Sequence, residues 1–249
     1  MQAAITYLLT KMADDALILG HRNSEWTGLG PIMEEDIAFS SMAQDKIGHA
    51  LGLYSILHEQ YGTPDPDKYA FLREEKDFRC CHLVELPNRA YDFSLMRHFL
   101  FDHADALRYE YMAQSSLESL RPFAKKLKGE IKYHTLHANA WLTQLSRAGE
   151  DSYGRMQAAL DECLPLALGM FEQSSFDTEL MEAGIYPGEE KMQAAWLERI
   201  YPLLVKCALN MPVPAEPVNG GRHGFHTEHL GPLLDEMGAV FRLDPAANW

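Results

Sequence analysis

The chain has 249 residues, 47% hydrophobic and 23% charged, and its 36 acidic side chains outnumber 22 basic ones for a net charge of -14. That length supports a core without disulfides, and that charge repels phosphate backbones and anionic lipid, so neither nucleic acid nor membrane is expected as a partner. Cys80, Cys81, Cys163 and Cys207 make no CxxC pair, which argues against zinc frameworks and disulfide scaffolds and fits a reducing cytoplasm.

In chain order nearly everything reads as helix, and no sustained period-two alternation marks a strand. Residues 3–22 form an amphipathic stretch interrupted by Lys11, Asp14 and Asp15. It lacks the charged n-region and AxA site of a signal peptide, and no run reaches the roughly 20 apolar residues of a membrane span. Gly28-Leu29-Gly30-Pro31 breaks it. A long second helix is expected over 32–61, opened by Glu34, Glu35 and Asp36 at its positive N-terminal end. Residues 66–87 read as an excursion with one short helix. A third long helix starts at Asn88 or Asp92 and runs to about Leu120. A fourth follows to about Ser146, with Pro122 in its first turn. Shorter helices are expected over 152–173, 176–183, 189–209 and 228–242. The Pro- and Gly-rich segment 211–224 is expected to be irregular. No domain boundary stands out, so the fold expected is a single all-α domain over 1–249, an antiparallel four-helix bundle with additional C-terminal helices.

Two of these helices carry polar residues inside their apolar stripes. On the second, Ala38, Met42, Asp45, His49, Gly52 and Ile56 follow a seam spacing; on the fourth, Phe123, Leu127, Glu130, His134, His137 and Trp141 do. Each seam holds a carboxylate with a histidine four residues on, Asp45/His49 and Glu130/His134, and residues four apart converge on one helix face. A carboxylate in a core is costly unless it is paired or metal-bound.

The sharp reading is a dinuclear metal site. Bundles of that kind take one Glu from each of two helices and a Glu-x-x-His from each of the other two. Neither Glu-x-x-His is intact: Gly48 and Tyr133 stand three residues after the carboxylates, and Lys46 and Ile131 three before the histidines. Asp14 or Asp15, and Glu110, are the candidates for the single carboxylates. The degenerate ligand set is therefore Asp45, His49, Glu110, Glu130 and His134. Against it stands a metal-free bundle in which Asp45, His49, Glu130 and His134 hydrogen-bond one another. No catalytic residue and no cofactor are assigned to the chain on this pattern.

Weaker signals remain. His226-Thr227-Glu228-His229 looks like a ligand cluster, but Thr227 as a helix cap explains half of it. Arg121, Lys125, Lys126, Lys128 and Lys132 form a basic run that reads first as a solvated helix face. No GxSxG, P-loop or GxGxxG-to-helix pattern is found, which argues against the familiar hydrolase and nucleotide chemistries.

Several short motifs in fixed order carry a resemblance over nearly the whole length. They are Ala16-Leu-Ile-Leu-Gly20-His21-Arg22 with Ser24-Glu25-Trp26, Glu34-Glu35-Asp36-Ile37-Ala38, Asp45-Lys-Ile-Gly48, Glu130-Ile-Lys-Tyr133-His134, and Gly220-Gly221-Arg-His-Gly224-Phe-His226-Thr-Glu228-His229-Leu-Gly231. Together they resemble the C-subunit family of bacterial ring 1,2-phenylacetyl-CoA epoxidases, also called phenylacetate-CoA oxygenases. The resemblance implies a ferritin-like bundle in a non-catalytic, structural, cytoplasmic subunit of phenylacetate degradation. It supports a di-iron A subunit, which epoxidises phenylacetyl-CoA with O₂ and with electrons from a flavin and iron–sulfur reductase subunit. The remaining subunits are indirect partners, and the isolated chain is expected to form a homodimer. The alternative is a di-metal carboxylate oxygenase or oxidase with its own rebuilt site.

Overall fold

A computed structural model describes residues 1–247 of the chain. Among them there are ten α-helices and no strand. The backbone contacts divide the chain into two compact units, Met1–Pro87 with Gly220–Trp249, and Asn88–Asn219.

The first unit is built on a long helical hairpin, α1 (Gln2–Ser24) and α2 (Met33–Tyr61). Its antiparallel register is read from three contacts. The Gln2 amide donates to the Tyr61 carbonyl, Tyr54 donates to Asp14, and Gly20 lies against Ile47. Gly20 is small for a reason, since a Cβ there would fall 2.9 Å from the Ile47 side chain. Alanine and leucine supply the shared core (Leu8, Leu9, Ala13, Ala43, Ala50, Leu53) and let the helices run close along their length. Asp36, in the expected acidic first turn of α2, accepts from the Gly28 amide at 2.7 Å. The excursion holds two short helices rather than one, α3 (Pro66–Phe71), capped by Asp65, and α4 (His82–Glu85). The α4 helix packs on α1.

The second unit pairs α5 (Tyr91–Met112) with α6 (Leu120–Leu145), again antiparallel: Tyr91 meets Trp141 and His98 meets His137. The α5 helix ends eight residues before the expected Leu120. Ser115 and Ser116 bond instead to the carbonyls of Ile185 and Ala183, and Arg121 donates to the Ser115 carbonyl at 2.6 Å. Serine side chains that find such partners compete with the helical ladder. The α7 helix (Glu150–Leu168) packs on both members of this pair and α9 (Glu189–Lys206) packs on α5; the short α8 (Asp177–Glu182) lies between them in the chain. Trp196 of α9 is fully buried and donates to the Leu100 carbonyl of α5 at 3.0 Å. Pro165 lies inside α7, which tightens to a 3₁₀ turn over Gly169–Phe171 instead of continuing to 173. The last helix, α10 (Leu230–Gly238), returns to the first unit and packs on α3.

Candidate functional site

The buried face of α2 is rotated by about one residue from the expected seam. Met42, Lys46, His49 and Leu53 are buried, whereas Asp45 is half-buried. Lys46 and His49 stand three apart, at the offset where a Glu-x-x-His would place its two ligands. An ammonium therefore occupies the carboxylate position, and it is fully enclosed. A cation there repels a metal ion.

The two carboxylates of α1 are also committed. Asp14 accepts from Tyr54 and Arg73, each at 2.6 Å, and from the Arg79 amide at 2.7 Å. Asp15 forms a two-armed pair with Arg222, at 2.8 and 2.7 Å, and accepts from the Cys81 amide at 2.8 Å. These charge-assisted bonds compensate the burial of both ions. Burial alone would lower the guanidinium pKa values, but Asp14 and Asp15 hold Arg73 and Arg222 above their ordinary value.

In the second unit the core face of α6 runs Leu120, Ala124, Leu127, Ile131, His134, Ala138, Leu142. Ile131, not Glu130, takes the core position; Glu130 and His137 are half-buried. His134 faces α5, where it meets a residue set that the seam pattern did not single out. His98 and Asp102 lie four apart on α5, both buried and closely hydrogen-bonded. His134 Nδ1 lies 3.5 Å from Asp102 Oδ1, and His137 Nδ1 lies 3.3 Å from His98 Nε2. Burial lowers the His98 pKa to about 4, and His137 and His134 push the same way against the pull of Asp102. A neutral His98 that donates from Nδ1 to Asp102 presents its Nε2 lone pair to an N–H of His137. The signal in the sequence is a histidine four residues before an aspartate, the reverse of the order on α2 and α6.

Glu110 lies two turns beyond this network and is taken by Arg199, whose two nitrogens reach its two oxygens at 3.3 and 2.7 Å. The pair borders a surface depression of about 320 Å³, also lined by His103, Lys128 and Lys132. Lys125 and Lys126, from the same basic run, are exposed.

The donor set does not fit a dinuclear carboxylate centre. Lys46 fills one carboxylate position and Ile131 the other. Asp14, Asp15 and Glu110 are held by guanidinium groups. What α5 and α6 do build is an imidazole–carboxylate network, with His98 set between Asp102 and His137 and with His134 beside Asp102.

The family model for the phenylacetic acid catabolic protein matches residues 1–249. The chain belongs to the phenylacetic acid catabolic protein family. It is 30% identical over 245 residues, 98% of this chain and 99% of the relative, to the C subunit of the 1,2-phenylacetyl-CoA epoxidase of Escherichia coli (strain K12).

In this family member the late motif, Gly220 to Gly231, lies against the excursion of the first unit. Gly221 and Gly224 permit the approach: a Cβ would fall 2.2 Å from the Cys80 carbonyl oxygen at the first and 2.3 Å from that of Lys76 at the second. Gly224 also has φ +83°, which disfavours a side chain. The approach delivers Arg222 to Asp15 and His226 to Glu85. His226 Nδ1 lies 2.7 Å from Glu85 Oε1, and its Nε2 lies 3.2 Å from the Phe78 carbonyl. The N-cap of α10 is His229 rather than Thr227, whose hydroxyl accepts from the His229 amide at 3.4 Å in the turn before the helix. The Thr227 amide and hydroxyl both donate to Glu85 Oε2, each at 2.7 Å. Cys80 Sγ completes the cluster, 3.6 Å from Glu85 Oε1 and 3.9 Å from His226 Nδ1. Burial would raise the Glu85 carboxyl, yet the bonds from His226 and Thr227 hold it below its usual range. The Cys80 thiol is pushed well up by burial and then by Glu85, Asp14 and Asp15. The order of the late motif was visible in the sequence; its partners Cys80 and Glu85, more than 140 positions away, carried no local signal.

Proposed function

We propose that this chain is the structural, non-catalytic C-type subunit of a 1,2-phenylacetyl-CoA epoxidase, acting in aerobic phenylacetate degradation beside an iron-bearing A subunit. The reading rests on full-length similarity to the C subunit of the E. coli enzyme. The observation that carries the non-catalytic half is Lys46. It is buried three residues before His49, where an oxygen-activating bundle places a ligand carboxylate. Guanidinium groups on Asp14, Asp15 and Glu110 extend the same pattern. No oxygen-activating metal is assigned to this chain, and di-iron is assigned to the A subunit.

The proposal includes a ferritin-like antiparallel four-helix bundle with additional C-terminal helices and the whole chain as one domain. Large apolar side chains left exposed on α2 (Met33, Ile37, Leu51) and on α6 (Tyr133, Leu136) support an association role, since stable interfaces are built from such residues. The A subunit is the main partner, a homodimer is the state of the isolated chain, and the cytoplasm is its compartment.

Reconstitution tests the reading. With reductase, O₂ and phenylacetyl-CoA, the chain alone is expected to give no turnover, the A subunit alone little, and the mixture full activity. Turnover by this chain without the A subunit, together with two irons per chain, overturns it in favour of the di-metal oxygenase.

A further inference from the structure

The cluster of Cys80, Glu85 and His226 lies entirely in the first unit and shares no residue with the imidazole network of α5 and α6. It is the one group of three or more His, Cys, Asp or Glu side chains among the described residues whose ligand atoms all approach within 4.8 Å of one another. The side chains of Glu85 and His226 are wholly inaccessible, and Cys80 is buried.

Three features go beyond a chance meeting of polar groups. The three separations, 3.6, 3.9 and 2.7 Å, leave a position about 2.0–2.1 Å from Oε1 and Nδ1 and about 2.3 Å from Sγ, the lengths of Zn–O, Zn–N and Zn–S bonds. The supporting bonds are also those of a metal site. Thr227 holds Glu85 Oε2 with two donors, which leaves Oε1 turned to the centre. The Phe78 carbonyl takes the proton on His226 Nε2, which leaves the Nδ1 lone pair for a ligand bond. Finally, His226 has an acceptor facing each ring nitrogen, Glu85 Oε1 at Nδ1 and Phe78 O at Nε2, so a metal ion at the centre takes the Nδ1 side while Nε2–H keeps its bond to the Phe78 carbonyl.

We propose that Cys80, Glu85 and His226 form a structural site for one zinc-class divalent cation, pinning the late segment to the α3–α4 excursion. The mixed S, N, O donor set selects zinc over magnesium or calcium, which take oxygen. Binding forms one bond each from Sγ, Oε1 and Nδ1. It releases to solvent the thiol proton and the proton held between His226 and Glu85, so uptake weakens as pH falls. The inference does not depend on the epoxidase reading.

The full chain, stripped with a chelator in reducing buffer, is titrated with Co²⁺ and then Zn²⁺. One equivalent per chain is expected, with a thiolate-to-cobalt charge-transfer absorption that zinc abolishes and a melting temperature raised by zinc but not by Mg²⁺. Cys80→Ser is expected to lose the absorption and at least tenfold in affinity, while His49→Gln keeps both. A folded wild-type chain that takes up no zinc, or binds cobalt without the sulfur absorption, overturns the proposal, as does an absorption that survives in folded Cys80→Ser. Should Cys80→Ser fail to fold, the wild-type titration decides alone: the sulfur absorption with one equivalent supports the site and its absence removes it.

Discussion

At His98 the local environment makes a pH-dependent contribution to stability. Its ring faces Asp102 on its own helix and His134 and His137 on α6. Burial depresses its pKa from 6.5 to about 4. Between those values the unfolded chain holds more protons than the native one, so stability rises with pH. The contribution is complete above 6.5 and is lost as the pH falls toward 4. His98→Gln is therefore expected to flatten the fall in melting temperature between pH 7 and pH 5, and an unchanged slope counts against a neutral buried His98. Asp15 and Arg222 make the other residue-scale case. Removing one member of a buried, two-armed pair leaves a charge in the core, at about 3–5 kcal/mol. Arg222→Ala is expected to lower the urea midpoint accordingly, and Asp15→Leu with Arg222→Met to recover most of it. A cost below about 1 kcal/mol would place the pair among ordinary surface salt bridges.

At the level of the helix, the core face decides which substitutions matter. A one-residue offset separates Asp45 from Lys46 and Glu130 from Ile131, and the buried member of each pair is the second. The seam expected from the sequence put both carboxylates inside. Spacings of three and four are nearly degenerate on a helix of 3.6 residues per turn, so a polar residue can be assigned to either side of a stripe. Asp45→Ala and Glu130→Ala are accordingly expected to change stability by less than about 1 kcal/mol, and Ile131→Ala to cost about 2–5 kcal/mol through the cavity it leaves. Equilibrium unfolding of the three variants checks the order, and a larger loss at Glu130 than at Ile131 reverses it. Helix ends follow a similar logic. Pro64 and Gly62 marked the end of α2 in the sequence, whereas Ser115 and Ser116 ended α5 through partners some 70 residues away.

For the molecule as a whole, association is the property that the exposed apolar side chains bear on. Ile37 and Leu51 project from α2 at 62% and 52% exposure, so charging them disturbs little of the core. Ile37→Lys with Leu51→Glu is expected to leave the melting temperature unchanged and to reduce co-sedimentation with the A subunit at least tenfold. Equal co-sedimentation would place the partner on another face of the chain. The excess of acidic side chains, 36 against 22, gives a net charge that favours solubility.

Composition, helical periodicity and breakers were enough to determine an all-α chain, its four long helices near their observed positions, and the absence of an intact Glu-x-x-His. All of these are local properties, written within a few turns of one helix. The order of short motifs carried the family for the same reason, because order and spacing are themselves properties of the sequence. Tertiary structure alone decided which polar residues meet: Asp15 with Arg222, Glu110 with Arg199, His98 with His137, and Cys80 and Glu85 with His226. Those partners come from helices and turns far apart in the chain. Each pairing depends on how a helix is rotated about its axis and where a glycine lets a late segment approach, and neither is encoded in the spacing of any single stretch.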